Sequence, residues 1–241
     1  LTGLDINSIA DIPKGSGLGS SSAYTVGLLN GLNFYTGNTL SKSDLAKLSA
    51  DLEINKLGEP IGKQDHYATA FGGFNKIIFN KDDSVEVEKI ALEEQDIKYL
   101  NSGLILLKIG PSRSASDILR KQKKLIETDE NTKFGQAILD LVDPMVSAIK
   151  NCNLKDIGDL LNENWKLKLN LSDGVTTQEI NNLVDQVLSK DGIYGTKLLG
   201  AGGGGYLLVV GEPTSIRLLS DLDSVSFNFE NTGSNIIFKD N

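Results

Sequence analysis

The sequence predicts an α+β protein, in which strands and helices are unevenly grouped rather than arranged as a regular βαβ array. Strand patterns occur near both ends and in a hairpin around residue 80, whereas helical patterns fill the region between residues 113 and 190. The 241 residues, 39% of them hydrophobic, suffice for two domains. The polar stretch from Glu88 to Lys98 is the best boundary, which gives domains over 1–95 and 96–241.

The first elements follow from apolar spacing and glycine punctuation. Residues 1–12 alternate apolar and polar side chains and predict a strand. A helix is predicted from Ala23 and ends at Gly37, in keeping with the left-handed preference of helix C-caps. Its apolar stripe consists of Leu28, Leu29, Leu32 and Tyr35.

Ser41 followed by Asp44 predicts the cap of a second helix. We expect this helix to bury Leu45, Leu48 and Leu52. A short helix over 62–68 and a hairpin of residues 74–79 and 85–87 complete the first domain.

The second domain is predicted to begin with a buried strand over 104–109. Four helices follow, at 113–127, 133–150, 154–169 and 176–190, and Pro144 predicts a kink in the second of them. The end is predicted to be rich in β-structure, with strands at 206–210, 225–229 and 236–238 and a short helix at 213–221.

Composition argues against several classes of protein. Lys and Arg total 24 against 32 Asp and Glu, and this net charge of −8 argues against a general nucleic-acid binder. No apolar run is long enough to span a membrane. The lone Cys152 excludes an internal disulfide framework and predicts a cytoplasmic protein. The single His66 argues against a zinc site built from His and Cys.

A glycine-serine loop at residues 14–22 lies between the predicted strand and helix and is the strongest local signal. Glycines let several backbone N–H groups converge, and the start of the helix adds its positive dipole end, so a phosphate fits there. The loop lacks the lysine of a Walker A motif, and Ser20 stands where a dinucleotide fingerprint has glycine. The alternative interpretation is a flexible turn before an amphipathic helix.

Two carboxylates, Glu53 and Asp65, lie twelve residues apart across a Gly-Glu-Pro break. Next to a phosphate loop such a pair suits phosphoryl transfer, because one carboxylate holds a metal and the other orients or accepts the proton of a hydroxyl. Each taken alone is more often a solvated surface group.

Five glycines in six positions, 200–205, suggest a backbone approach that no larger residue permits, and we interpret it as packing against the phosphate loop. A hairpin-like turn is the alternative. Arg113 lies at the start of a predicted helix. Two interpretations are equally supported, a ligand for a phosphate or carboxylate and an exposed charge. His66 is interpreted as structural, with a proton relay to Asp65 as the alternative.

The segment Pro13–Ala23 resembles the second signature of the GHMP small-molecule kinases, the superfamily of galactokinase, homoserine kinase, mevalonate kinase and phosphomevalonate kinase. Leu198–Gly205 resembles their third, glycine-rich signature. Stretches at 58–75, 113–119, 164–168 and 197–205 are similar to the D-glycero-D-manno-heptose 7-phosphate kinases. The likeness extends from about Ala10 to about Val210 and involves five motifs in the right order.

This resemblance implies a domain like ribosomal protein S5 domain 2, followed by a ferredoxin-like domain, with ATP and Mg²⁺ between them. Asp65 matches the catalytic carboxylate, and Ser21 and Glu53 match the metal ligands. Lys63, Arg113 and Gly204 are expected to bind the acceptor. The expected ATP contacts are Pro13, Gly15, Ser16, Gly17, Leu18, Gly19, Ser20, Ser21, Ser22, Gly202 and Gly203.

The resemblance also implies an acceptor, a sugar phosphate such as heptose 7-phosphate, and a monomer or homodimer. A kinase for an unphosphorylated sugar is the alternative, and Lys63 and Arg113 would discriminate, because a far phosphate needs cations. A non-catalytic relative that binds nucleotide is the third hypothesis. The family's first signature, with the basic partner of Asp65, is not found, and Leu1 is not a start residue. We therefore expect upstream residues to complete the site.

Overall fold

The structure is a computed structural model that describes residues 3–13, 15–110, 129–171, 176–200 and 202–239. It is a mixed α/β chain, as predicted. The predicted helix at 113–127, which contains Arg113, lies outside the described residues. In the described parts of the chain, no helix combines the length and the apolar character that a membrane span requires.

The first part of the fold is three helices and a hairpin around a small core. The elements are α1 (Ser20–Tyr35), α2 (Lys42–Asp51), a π-helical segment (Leu52–Lys56), α3 (Gln64–Phe71), β1 (Asn75–Phe79) and β2 (Val85–Lys89). The predicted cap of α2 is confirmed, because Ser41 Oγ accepts the backbone N–H of Asp44 at 3.1 Å. The antiparallel β1–β2 hairpin is confirmed as well. The core is built from Val26, Leu45, Ala46, Tyr67 and Ala70.

The second part is a four-stranded antiparallel sheet with helices packed against it. Its elements are α4 (Glu94–Ser102), β3 (Leu104–Gly110), α5 (Asp129–Asp140), α6 (Val142–Lys150), α7 (Leu154–Leu171), α8 (Gln178–Leu188), β4 (Ile193–Leu198), β5 (Gly205–Gly211), α9 (Pro213–Arg217) and β6 (Ser224–Val225). The strand order is β4-β5-β3-β6. Each neighbouring pair in the sheet is antiparallel.

Side chains of β5 alternate between two separate cores, as the period of a strand requires. Leu207 and Val209 pack with Trp165 and the apolar side of α8, whereas Val210 packs with Leu161 and α6. Both faces of the sheet are therefore covered, which explains why β5 reads as a continuous apolar run.

Several predicted strands are wrong, because a strand needs a hydrogen-bonding partner as well as an alternating pattern. Residues 3–12 form no strand, and Ile9 of this segment is 94% exposed. Among the described residues, no strand pairs with it. Residues 236–238 are likewise not a strand, and β6 is two residues long where five were predicted.

The predicted apolar faces of two helices also need correction. The buried side chains of α1 are Ser22, Thr25 and Val26, which face the helices behind it. The predicted stripe instead lines a groove of about 780 Å³ beside residues 4–12, through Leu28, Leu32 and Tyr35. In α2, Leu45 is buried but Leu48 is exposed.

The break predicted at Pro144 occurs one turn earlier, between α5 and α6 at Leu141. Proline cannot donate to the carbonyl four residues before it, which here belongs to Asp140, the last residue of α5. Strand β4 was not predicted, because Gly195 and Lys197 interrupt its apolar pattern.

Helix α7 lies directly on β4 at a pair of glycines. A Cβ atom placed on Gly158 would lie 2.6 Å from Cβ of Tyr194, and a Cβ atom placed on Gly195 would collide with the carbonyl of Gly158. Asn162, one turn further along, donates to the carbonyl of Tyr194 at 2.9 Å and accepts the N–H of Thr196 at 3.0 Å. The helix therefore satisfies the free edge of β4 and fixes its position.

We expect Gly158→Ala to lower the free energy of unfolding by about 2 kcal/mol, because the added methyl overpacks the contact between α7 and β4. Gly27→Ala is the matched control in α1, since a Cβ there meets nothing within 4 Å. The control should stabilise by roughly 0.5–1 kcal/mol through helix propensity. Urea unfolding of both variants checks this, and equal stabilisation by both would contradict the close approach.

Candidate active site

The first glycine loop leads from Pro13 into α1 and turns through three left-handed glycines. Gly15, Gly17 and Gly19 have φ values of +79°, +78° and +68°. Gly19 is the N-cap of α1 and no side chain caps the helix start. The N–H groups of the first turn are therefore available to an anion, with the helix dipole in favour.

The second glycine loop packs against the first, backbone against backbone. A Cβ atom placed on Gly200 would lie 2.5 Å from Cα of Gly17, and one placed on Gly205 would lie 2.5 Å from the carbonyl oxygen of Ser16. This contact agrees with the interpretation of both segments as one site. Between these positions Gly202, Gly203 and Gly204 are buried, and all have positive φ.

Glu53 is the centre of a buried hydrogen-bond cluster at the start of α1. Oε1 accepts the hydroxyls of Ser21 at 2.5 Å and of Thr25 at 2.8 Å, and Oε2 accepts the hydroxyl of Ser22 at 3.3 Å. His66 Nε2 lies 2.7 Å from Oε2. Burial alone would raise the pKa of Glu53, but the hydrogen bonds from Ser21, Thr25 and His66 outweigh it and hold the pKa below its usual value.

His66 is fully buried, and its ring joins α3 to Glu53. Nδ1 has no hydrogen-bond partner among the described residues. This agrees with the structural interpretation of the histidine, and its partner is Glu53 rather than Asp65. Thr25 was missed, although it lies four residues after Ser21 and so on the same face of α1.

Asp65 opens α3 and lies against the first glycine loop. A Cβ atom placed on Gly19 would lie 3.3 Å from Oδ2 of Asp65. The side chain still reaches solvent, but its carboxylate is crowded enough that desolvation raises the pKa of Asp65. The electrostatic effect of His66 opposes this rise in the pKa of Asp65, and repulsion from Glu53 adds to it. The pKa values of Glu53 and Asp65 are therefore shifted in opposite directions.

The structure does not place Lys63 in the cluster. Its Nζ lies 2.8 Å from Oδ1 of Asp83, in the turn between β1 and β2. Arg113 lies outside the described residues, so neither predicted acceptor cation is placed at the site.

Two other lysines lie beside the second glycine loop and were not predicted as ligands. Lys168 near the end of α7 donates to the carbonyl of Gly200 at 2.7 Å. Burial and repulsion from Lys197 lower the pKa of Lys168 to about 8. Burial also lowers the pKa of Lys197, which is in β4. Because they are 29 residues apart in sequence, no local pattern predicted that they lie beside the same loop.

A cavity of about 1020 Å³ opens beside the two loops. Its polar wall includes Gln64, next to Asp65, together with Asn164 and Lys197. Leu18 of the first loop and Leu199 of the second also line it. Most of the lining is apolar, however, and Ser21, Glu53 and Asp65 are not among the lining residues.

The comparisons with known proteins identify the family. The model of the GHMP kinase N-terminal domain matches residues 2–73, and that of the GHMP kinase C-terminal domain matches residues 145–223, together more than half of the chain. The chain belongs to the GHMP kinases. The expected fold is thereby confirmed, whereas the division at residue 95 stays a prediction.

Named relatives include sugar kinases. The chain is 28% identical over 209 residues to the D-glycero-alpha-D-manno-heptose 7-phosphate kinase of Campylobacter jejuni, covering 87% of this chain and 61% of that protein. It is 28% identical over 235 residues to a galactokinase of Thermosipho africanus, covering 88% and 66% of the two. The chain thus spans less than two thirds of either relative.

Solved structures of similar fold also include a sugar kinase. A D-glycero-D-manno-heptose 1-phosphate kinase from Bacteroides thetaiotaomicron superposes with a TM-score of 0.66 at 25% identity, covering 92% of this chain and 64% of that one. The two heptose kinases carry names that differ in the position of the acceptor phosphate.

The residues present fit a magnesium ion of a GHMP kinase. Ser21 and Glu53 offer hard oxygen ligands, and the lowered pKa of Glu53 keeps its carboxylate charged. Within the described ranges, no group of three or more His, Cys, Asp or Glu could hold a metal by itself. Two protein ligands are the usual share for Mg²⁺ that is bound together with phosphates.

We expect the stability of the protein to rise between about pH 8 and pH 10.5 through Lys168. In this window the folded state has released the Lys168 proton, whereas the unfolded chain, with the ordinary value of 10.5, still holds it. A state that holds more protons is disfavoured as the pH rises, so unfolding becomes harder.

Urea unfolding of the wild type and of Lys168→Met at pH 7.5 and pH 10 measures this effect. The difference in unfolding free energy between the two should shift in favour of the wild type at the higher pH. Lys150→Met, at an exposed position of α6, is the control. A difference that is the same at both pH values would show that Lys168 titrates normally.

Proposed function

We propose that the protein is an ATP-dependent kinase that phosphorylates the anomeric hydroxyl of a sugar phosphate, D-glycero-D-manno-heptose 7-phosphate, to give heptose 1,7-bisphosphate. Such a product would serve nucleotide-heptose and surface-glycan synthesis. The observation that carries the proposal is the position of Asp65, whose carboxylate lies against Gly19 at the start of α1. A catalytic carboxylate and an anion-binding helix start are thereby next to each other.

The first glycine loop and the start of α1 bind the phosphates of ATP. The uncapped N–H groups from Gly19 onward donate to phosphate oxygens, and Gly202 and Gly203 of the second loop, which packs on the first, complete the site. Because phosphoryl transfer depends on positioning and charge stabilisation, rigid loops of this kind are its main requirement.

Ser21 and Glu53 would hold Mg²⁺. When bound, this ion neutralises charge on the phosphates that are being separated. Ser22, Thr25 and His66 keep the carboxylate of Glu53 oriented and ionised, because each contributes a hydrogen bond to it.

Asp65 orients the acceptor hydroxyl and takes its proton. Its raised pKa makes the carboxylate a better base than an ordinary surface aspartate. Access to solvent on one side leaves room for the acceptor to approach.

The choice of acceptor rests on similarity to known kinases. The relatives named above include two heptose phosphate kinases, and a galactokinase represents the alternative, an unphosphorylated acceptor. The predicted discriminator Lys63 is engaged with Asp83, so a cation for the far phosphate has to come from elsewhere.

The acceptor is tested with the protein expressed from its complete gene. ATP consumption is measured against heptose 7-phosphate, heptose 1-phosphate, unphosphorylated heptose, fucose and galactose. We expect the highest kcat/KM with heptose 7-phosphate. A preference for a neutral sugar would replace the proposed acceptor, and ATP binding without turnover on any sugar would support the non-catalytic alternative.

We expect Asp65→Asn to lower kcat by about 10²- to 10⁴-fold while ATP affinity stays nearly unchanged, because the amide cannot accept the proton. Steady-state kinetics and nucleotide titration measure the two quantities. Asp191→Asn, at an exposed position before β4, is the matched control. More than half of wild-type turnover in Asp65→Asn would remove this residue from the reaction.

We expect Glu53→Gln to raise the apparent Mg²⁺ requirement on the order of tenfold, since a neutral amide is a poorer ligand for a hard cation. Initial rates are measured over a Mg²⁺ titration, with Glu88→Gln on β2 as an exposed control. Excess Mg²⁺ should restore part of the rate. A titration curve that matches the wild type would leave Glu53 with a purely structural role.

A further inference from the structure

Two lysines from neighbouring elements meet beside the second glycine loop. Lys168 lies in the last turn of α7, and Lys197 lies in β4, which leads into the loop. The close contact of α7 with β4 at Gly158 and Gly195 holds their backbones together. Lys168 Nζ donates to the carbonyl of Gly200, three residues after Lys197 along the chain.

The two ammonium groups lack the compensation that other lysines in the protein have. Lys63, Lys76 and Lys155 each lie within 2.8 Å of an aspartate oxygen. Among the described residues, by contrast, no ion pair joins Lys168 or Lys197 to a carboxylate. Both side chains are half-buried, and a cation withdrawn from water without a counter-charge is costly.

Both lysines are next to the site that the two loops form. The carbonyl that Lys168 contacts belongs to Gly200, which packs on Gly17 of the first loop. Lys197 lines the same cavity wall as Gln64, the neighbour of Asp65. An anion held here would lie at the edge of the site for phosphoryl transfer.

We propose that Lys168 and Lys197 form a binding site for a phosphate group, and this rests on the function proposed above. An ammonium group carries three donors, of which Lys168 uses one on Gly200, so the pair offers several charge-assisted hydrogen bonds to phosphate oxygens. The phosphate belongs either to the nucleotide or to the far end of a phosphorylated acceptor. In the second case this pair supplies the cations that were expected of Lys63.

Phosphate binding is measured first, without turnover. Thermal unfolding of the protein from its complete gene is followed with increasing inorganic phosphate at constant ionic strength, with chloride as the reference salt. We expect phosphate to raise Tm in the wild type and in Lys150→Met, but to have a much smaller effect in Lys168→Met and Lys197→Met. Equal phosphate-dependent shifts in all four proteins would overturn the proposal.

Steady-state kinetics then identify the source of the phosphate. If the acceptor supplies it, each Met variant should raise KM for heptose 7-phosphate at least about tenfold, leave KM for ATP unchanged, and lose the preference over unphosphorylated heptose. If ATP supplies it, KM for ATP should rise instead. Values for both substrates within twofold of the wild type would refute the pair as ligands.

Lys168→Arg and Lys197→Arg keep the charge and should retain most of the affinity that the Met variants lose. This rescue separates a charge effect from a loss of packing, because Met also preserves most of the apolar stem. Failure of Arg to rescue, with Met variants folded, would overturn the proposal. If no sugar is turned over, the proposed function fails, yet the phosphate-dependent Tm still decides on the lysine pair.

Discussion

The contact between the two glycine loops is the constraint on which the rest of the site depends. Gly17 and Gly200 meet backbone to backbone, and Gly205 meets Ser16 in the same way. The first loop sets where α1 begins, and the second sets where β5 begins. The uncapped helix start from one part of the fold is therefore placed against a strand from the other part, with no side chain between them.

In the proposed reaction, the different surroundings of Glu53 and Asp65 suit them to different roles. Four side-chain groups around Glu53 stabilise its charge in a buried position, so it stays an anion. Asp65 has fewer stabilising partners and a pKa shifted upward, which suits proton transfer. When the pKa values of two carboxylates in one site are shifted in opposite directions, the shifts indicate which group acts as the base. His66 links the two, since its ring contacts Glu53 and its backbone adjoins Asp65.

Local sequence patterns predicted the features that depend on local physics. The loop before α1, the cap at Ser41 and the β1–β2 hairpin need only neighbours along the chain, and all are present. The strand over residues 1–12 failed, because alternation does not supply a partner strand. The lysine pair was missed for a similar reason: Lys168 and Lys197 come together only when α7 packs on β4 through glycines, a tertiary contact that no spacing rule encodes.

The glycine contact also governs how such a protein can evolve. Backbone atoms fill the space between the loops, so a side chain at Gly17 or Gly200 would displace main chain. The cavity wall is free of this restriction, because residues such as Gln64 and Asn164 border open volume. Mutations at these two positions can therefore reshape the cavity while the contact between the loops stays in place.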